Sequence, residues 1–430
     1  MTQHMAGTIG TIVAIASERQ GVQEVVVRLS TLFSAGQPVE NPIGKLIESS
    51  EAPSEQTVSK EPPEDINSKL SYQAINLIAL TGSVNIGDQV VVNTITVELG
   101  LENDSKNIVA AILYSEKAEV RGSEAISEQR DLEKTATLST FGQIHKLRGT
   151  PLQSPVLIVE SSRSPHYETL CQFESLQEMP VVCAQLHSQL PAIAAGARWA
   201  LQQGNRAAPR IAIIMTEGGA LPLAHSQLVG PLKERDWICA TITSGQAFGG
   251  DYECVNLYSA LATAYAVVKA DMVIVCQGPG GVETGMPLGF SGIEQGQAIN
   301  AVASLGGTAI AAVPMSFAEG QSEPRGLSRQ SITVLGQITH ASALVALPQL
   351  PEEEMQPLLE AISAANLEEL HQPVIVMANR AFDKLQAANL RGTPQNDARK
   401  ESNKEDDRAF LLASCAAGVL AGQLLEAGME

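Results

Sequence analysis

Over residues 5–115 the apolar positions fall in short runs dominated by β-branched residues. GTIGTIVAIASE and QEVVVRLS flank Gly21 and predict a hairpin, with the break at Arg19-Gln20-Gly21. AINLIALTG and DQVVVNTITVEL predict a second strand pair joined through Ser83-Val84-Asn85-Ile86-Gly87, and NIVAAILY predicts one more strand. Little helical periodicity accompanies these runs, so a small antiparallel β-barrel domain is expected over residues 1–140. The stretch from about residue 36 to 70 is rich in Pro, Ser and Glu; it is too poor in apolar surface to order itself and predicts a disordered acidic insert within the barrel.

From about residue 150 the pattern becomes one of alternation. PVLIVES, VVCAQL, RIAIIM, ICATITS, DMVIVCQ, TAIAAVP and ALVALP are continuous aliphatic runs, as expected of strands covered on both faces in a parallel sheet. Parallel strands require crossovers, and Gly196 to Gln203, Leu223 to Lys233, Val255 to Val268 and Glu294 to Leu305 have helical length and period. The expected fold class is therefore α/β: a doubly wound, mostly parallel sheet domain over residues 150–380, extended by PVIVMAN, after the barrel. Residues 381–430 read as a polar surface loop followed by a small-residue helix. Its most apolar part, Phe410 to Leu425, falls short of the roughly 20 residues a membrane span needs, so a buried helix able to serve a homo-oligomer contact is expected, and no membrane.

Composition narrows the functional classes. The 430 residues hold 28 basic and 47 acidic side chains, a net charge of −19, with aromatics at 4%. No basic stripe or stacking platform for nucleic acid is visible. Residues 36–70 and the six glutamates of 351–370 supply −10 of that charge, which makes the acidity mainly a property of solvated surface. The amino terminus shows neither a basic-apolar leader nor an Arg-rich transit pattern, so a cytoplasmic location is expected. The six cysteines are scattered; Cys183, Cys239 and Cys276 lie inside apolar runs and read as reduced core residues, with Cys254 the one thiol placed for chemistry. His145, Lys146 and Arg148 read as a solvated basic linker face, with anion binding as the alternative.

In open parallel sheets ligands bind beyond the carboxyl ends of the strands, so the residues that follow each run carry the functional expectation. These are His187-Ser188, then Glu217-Gly218-Gly219, then Gly245 through Glu253 with Gly249, Gly250 and Asp251, then Gly278, Gly280, Gly281, Glu283 and Thr284, and last Arg325 and Ser328. Two glycine-dense loops at successive strand ends suggest amide N–H groups that cradle an anion; tight-turn architecture is the alternative. Neither loop is a P-loop or a dinucleotide fingerprint. Glu217, Asp251 and Glu283 are candidate ligands for Mg²⁺, against helix capping as the plain reading. His187 is the candidate acid/base, with Glu217 beside it, against a satisfied structural histidine.

TEGGALPLAHSQLV, ITSGQAFGGDYECVNLYSAL and GPGGVETGMPLGFSG, with VVCAQLHSQLPAI, NTITVELGL and GQIHKLRGTPLQ, resemble a bacterial family of uncharacterised proteins, a domain of unknown function, over nearly the whole chain. The resemblance implies a recurring architecture whose strand-end loops are its distinguishing surface, and no activity. The chain departs from that pattern in carrying Glu217-Gly218 for Asp-Gly and in lacking the histidines that surround the Arg-Gly-x-Ser segment, here Arg325 to Ser328.

Two functions are expected to compete. One is an enzyme acting on a small anionic, phosphorylated metabolite held by glycine amides, with Mg²⁺ offsetting the acids. The other is a non-catalytic ligand-sensing or assembly protein with the barrel as its interaction module.

Overall fold

The computed structural model describes residues 7–19, 21–31, 71–94, 106–114, 144–150, 152–204, 206–317, 326–390 and 404–428. The chain forms two units, Met1–Lys134 with Asn396–Ala398, and Thr135–Gln395 with Arg399–Glu430. The insert expected at 36–70 and residues 391–403 of the polar tail lie outside the described residues.

The first unit is a closed barrel of five strands in the order β1-β2-β3-β5-β4: β1 Gly7–Arg19, β2 Val22–Thr31, β3 Ser71–Leu77, β4 Gln89–Asn93 and β5 Asn107–Tyr114. Period-two alternation points Ile12, Val25, Val27, Ala74, Val90, Val92 and Val109 into one core. Contrary to the sequence expectation, β3 and β4 do not pair. β3 runs parallel to β5, with Ala74 opposite Asn107, and β4 pairs with β1 and β5. The reason lies in the helical turn Ile78–Thr81 and in buried Asn76, whose amide donates to Gln23 Oε1 and Gly82 O, each at 2.9 Å. This turn directs the chain away from β3 before β4 begins. The resulting barrel closes through four antiparallel pairs and one parallel pair, β3 with β5.

In the second unit β6 Ile144–Lys146 and β7 Ser154–Val156 form a ribbon, and PVLIVES, expected as a full strand of the main sheet, reaches it only through a parallel bridge from Ile158 to Glu253, where Val159 N–H donates to Glu253 O at 2.9 Å. That sheet has eight parallel strands in the order β11-β10-β9-β12-β8-β13-β16-β17. They are β8 Pro180–Ala184, β9 Ile211–Thr216, β10 Ala240–Thr243, β11 Tyr252–Glu253, β12 Met272–Gln277, β13 Thr308–Ala312, β16 Leu344–Pro348 and β17 Gln372–Val376. A small pair, β14 Met315–Ser316 with β15 Gly326–Leu327, follows β13.

Alternate residues of the central strands feed two separate cores. Ile211, Ile213, Met215, Met272, Ile274 and Cys276 face α1 Leu190–Gln203, α2 Val229–Glu234, α7 Asn379–Ala387 and α8 Lys404–Ala427. Ala212, Ile214, Val273 and Val275 face α3 Leu257–Ala262, α4 Glu294–Ser304 and α6 Glu352–Ala364, and the connection from β13 to β16 adds α5 Arg329–Thr333. Each isoleucine removed from water in this way contributes roughly 2–3 kcal/mol, so covering both faces is what makes these runs strands. α2 is shorter than expected because Pro231 is tolerated only in a first turn, and the chain ahead of it makes the short turn Leu223–His225.

Of the tail beyond residue 380, the described residues 381–390 and 404–428 fall in the sheet unit. Small residues permit direct helix contact: a Cβ on Gly418 would lie 2.0 Å from Ile193 O, and one on Gly196 would lie 2.2 Å from Cys415 O. Arg408–Ala427 is long and apolar enough to cross a membrane, and 72% of its most apolar window is buried within the unit.

Candidate functional site

β9 and β12 are neighbours whose chains leave the sheet toward opposite faces, the first into α2 and the second into α4. Their carboxyl ends open the crevice that doubly wound sheets use for ligands. The loops after them touch backbone to backbone. Ala220 N–H donates to Pro279 O at 2.7 Å, and a Cβ on Gly219 would stand 2.1 Å from Gly278 O. Gly219 and Gly278 are therefore architectural, since any side chain on Gly219 would force the two loops apart.

His187 follows β8 and is buried, with both ring nitrogens engaged. Nδ1 lies 3.0 Å from Gln277 O, which can only accept, so Nδ1 carries the proton. Nε2, 2.7 Å from Ser226 Oγ, is then the acceptor of the hydroxyl proton. Ser226 Oγ in turn accepts from the Leu228 and Val229 amides at 3.2 Å. Burial lowers the His187 pKa to about 4, with the charge of His225 acting in the same direction and the Gln277 bond opposing. The imidazole, after β8, is thus a neutral base at pH 7, oriented by a carbonyl at the end of β12 and coupled to a hydroxyl from the chain after β9.

The glycine loops behave differently from the sequence expectation. The Gly218 amide donates to Glu294 Oε2 at 3.2 Å, the Gln246 amide to Glu217 Oε2 at 2.6 Å, and the Gly249 amide to Glu253 Oε1 at 2.6 Å. At these positions the chain's own carboxylates fill the anion nests. Burial raises the Glu294 pKa, with Glu217 adding to the rise while Thr216 and Gly218 donate against it. Burial also raises that of Glu253, and Thr243, Lys146 and Gly249 offset this only in part.

The loop after β12 differs. Among the described residues no group accepts from the amides of exposed Gly280 or Gly281. Beneath them lies Gln277, 3% exposed, whose Nε2 donates to Gln185 O at 3.0 Å. Because that carbonyl can only accept, the amide orientation is fixed and Oε1 is the other terminus. Among the described residues, Gln277 Oε1 has no hydrogen-bond partner.

The candidate metal ligands do not converge. Asp251 is held by Lys233 Nζ at 2.6 Å and by the Thr241 amide and hydroxyl at 2.9 Å. Burial alone would raise its pKa, but these donors bring it below the usual range. Glu283 lies on an exposed hairpin, paired with Phe290 and tied by Thr284 Oγ1 to Gly289 O at 2.8 Å. Among the described residues no group of three or more His, Cys, Asp or Glu side chains is placed to hold a metal ion. Gly245 lies against the Glu217 carboxylate, and Gly250 N–H donates to Thr243 Oγ1 at 3.2 Å. Ser188 sits in the turn His187–Gln189, and Ser328 caps α5 by accepting from Ser331 N at 3.1 Å. Arg325 lies outside the described residues. Cys254 is buried, and burial pushes its thiol up to about 12, which removes it as a nucleophile at neutral pH.

Lys146 corrects a further expectation. It is 2% exposed rather than solvated, donating to Ala247 O at 2.8 Å and Cys254 O at 3.0 Å and pairing with Glu253 at 3.3 Å.

The family model for a protein of unknown function, DUF3866, matches residues 73–418. The chain belongs to the DUF3866 family. No curated protein matches it. The DUF3866 match begins within β3 and includes the whole strand-end edge, so every residue described at the crevice lies within it. Sequence reading missed three of these: Ser226, Gln277 and Glu294. Gln277 carried a legible signal, a polar residue closing an otherwise apolar strand run. Ser226 and Glu294 carried none, because a serine in a long loop and a glutamate opening a helix are ordinary sequence features.

Proposed function

We propose that this DUF3866 protein is an enzyme acting on a small polar metabolite at the carboxyl edge of its parallel sheet. The observation that carries the reading is the buried chain Ser226 Oγ–His187–Gln277 O, built at 2.7 and 3.0 Å from three strand-end loops. In it His187 accepts a proton through Ser226, and the Gln277 carbonyl fixes the tautomer. This is the base-and-orienter logic of general base catalysis. An anionic group on the metabolite is met by the amides of Gly280 and Gly281, since those of Gly218, Gln246 and Gly249 are taken by glutamates. A phosphorylated metabolite meets this condition, and so does a carboxylate.

A screen of the full chain against small metabolites, with and without Mg²⁺, tests the reading by thermal shift and by mass spectrometry of the metabolites. The expected result is a compound that raises the Tm of both the parent protein and the His187→Asn variant but is consumed only by the parent. Absence of any stabilising compound overturns the proposal, and so does equal consumption by His187→Asn.

A further inference from the structure

β17 is the last strand at one edge of the eight-stranded sheet, and among the described residues no strand pairs with its far side. The opposite edge is covered by the chain itself, since Ile158 bridges to Glu253 beside the two-residue β11. In β17 the Gln372 amide donates to Ala343 O at 2.9 Å, and Val376 O accepts from the Gln349 amide at 2.8 Å. Residues 372, 374 and 376 therefore turn their backbone groups toward β16, and 373, 375 and 377 turn theirs outward. Pro373 belongs to the outward set, where its missing N–H takes no bond from the sheet. Side chains divide in the same way. Val374 and Val376 pack into one core, whereas Ile375 and Met377, on the opposite face, are 53% and 72% exposed. The core on that face takes Val345 and Leu347 from β16 and, among the described residues, nothing from β17.

Edge strands that resist pairing carry charge, bulges or proline; residues 372–378 hold no charged side chain, and Pro373 withdraws a single donor. We propose that this edge pairs antiparallel with β17 of a second copy of the chain, joining two eight-stranded sheets across a two-fold axis at Ile375. The strand is self-complementary in that arrangement. Ile375 exchanges two hydrogen bonds with the partner's Ile375, and each Met377 amide donates to the partner's Pro373 carbonyl, so the proline serves as an acceptor alone. Opposed residues share a face, which sets Ile375 on the partner's Ile375 and Met377 on the partner's Pro373 and withdraws the exposed apolar side chains from water. The ends match in charge as well. Exposed Glu368 and Glu369 precede the strand and exposed Arg380 follows it, so antiparallel pairing brings each arginine to the partner's acidic end. A foreign strand would have to reproduce these features, whereas a second copy does so by symmetry. The C-terminal helix, whose small residues suggest a homo-oligomer contact, is largely buried within its own unit.

Sedimentation equilibrium of the full chain over about 1 to 100 μM, the range suited to a small interface, should show a rise from 45.4 kDa to twice that mass. Ile375→Lys, which sets two cations face to face on the axis, should weaken the dimer by about tenfold or more. Ile375→Pro should weaken it too while leaving the Tm of the monomer near that of the parent, because the lost N–H is not one that β16 uses. A crosslink reads the register directly. In a Cys171→Ser, Cys239→Ser background, Ile375→Cys should form a disulfide between copies on mild oxidation, since directly opposed hydrogen-bonded residues lie about 5.5 Å apart at Cα. Val374→Cys, buried on the other face, should not. A parent protein that stays monomeric over this range overturns the second copy as occupant and leaves the edge to a strand from another protein. A dimer unchanged by both Ile375 variants, or one that does not crosslink at position 375, places the contact elsewhere and overturns the proposal as well.

Discussion

The two glycine-rich loops look alike along the chain but differ in what their backbones do. The loop after β10 has two of its amides taken by carboxylates: Gln246 donates to Glu217 of the loop after β9 and Gly249 to Glu253, and buried Lys146 ties the second carboxylate to the ribbon. The loop after β12 leaves the Gly280 and Gly281 amides open above a partnerless buried oxygen. Glycine content is the same kind of signal in both. Whether a carboxylate of the chain reaches the nest decides which loop is architecture and which is free for a ligand.

The largest effect that sharpens this contrast is expected at Lys146. Lys146→Met leaves the half-buried Glu253 carboxylate without its cation and should cost about 3–5 kcal/mol, measured by urea unfolding. Adding Glu253→Gln to that variant should restore most of the loss, since an apolar replacement of a whole pair is often near neutral. A single variant as stable as the parent would contradict this description of the loop after β10.

The second effect concerns pH. His187 has its folded pKa lowered to about 4. The unfolded chain therefore takes up the proton first, and stability falls as pH drops from about 6.5 to 4, by about 3 kcal/mol in all. Glu253 and Glu294, with raised values, act in the opposite direction. The difference between the parent protein and His187→Asn isolates the histidine, and its slope over that window should vanish in the variant.

Smaller effects are expected at exposed positions. Glu217→Gln weakens one bond to the Gln246 amide and should cost about 1 kcal/mol or less, seen as a shift in the urea midpoint. Gly281→Ala meets only side-chain tips, Gln277 Nε2 at 3.0 Å and Ser291 Oγ at 3.1 Å. It should change stability by less than about 1 kcal/mol yet weaken any ligand found in the metabolite screen. If both variants leave ligand affinity unchanged, the two loops do not differ as described.

Much of the fold was legible. The sheet strands announced themselves because burial on both faces demands unbroken aliphatic runs, as in Ile211 to Met215 and Met272 to Cys276. The barrel was legible as strands and in its first hairpin, β1 with β2 across Gly21, but not in the pairing of β3, because the turn at Ile78–Thr81 and the Asn76 bonds, not the apolar pattern, set β3 beside β5. The strand-end edge followed from the parallel sheet, whereas the contacts made along it did not. His187 meets Ser226 across 39 residues and Gln277 across 90, and Lys146 meets Ala247 across 101. No local spacing encodes such meetings. Glu217 was read as a metal ligand or acid/base partner and Glu294 not at all, because an amide occupied by a carboxylate 29 or 76 residues away leaves no mark on the loop itself.

Amide hydrogen exchange across the two loops, followed by NMR in one sample of the full chain, tests the contrast most directly. Gln246 and Gly249 should exchange slowly, protected by their carboxylate partners, while Gly280 and Gly281 exchange near the rate of an unprotected chain. Equal protection in both loops, or protection at Gly280 and Gly281 alone, would contradict the account.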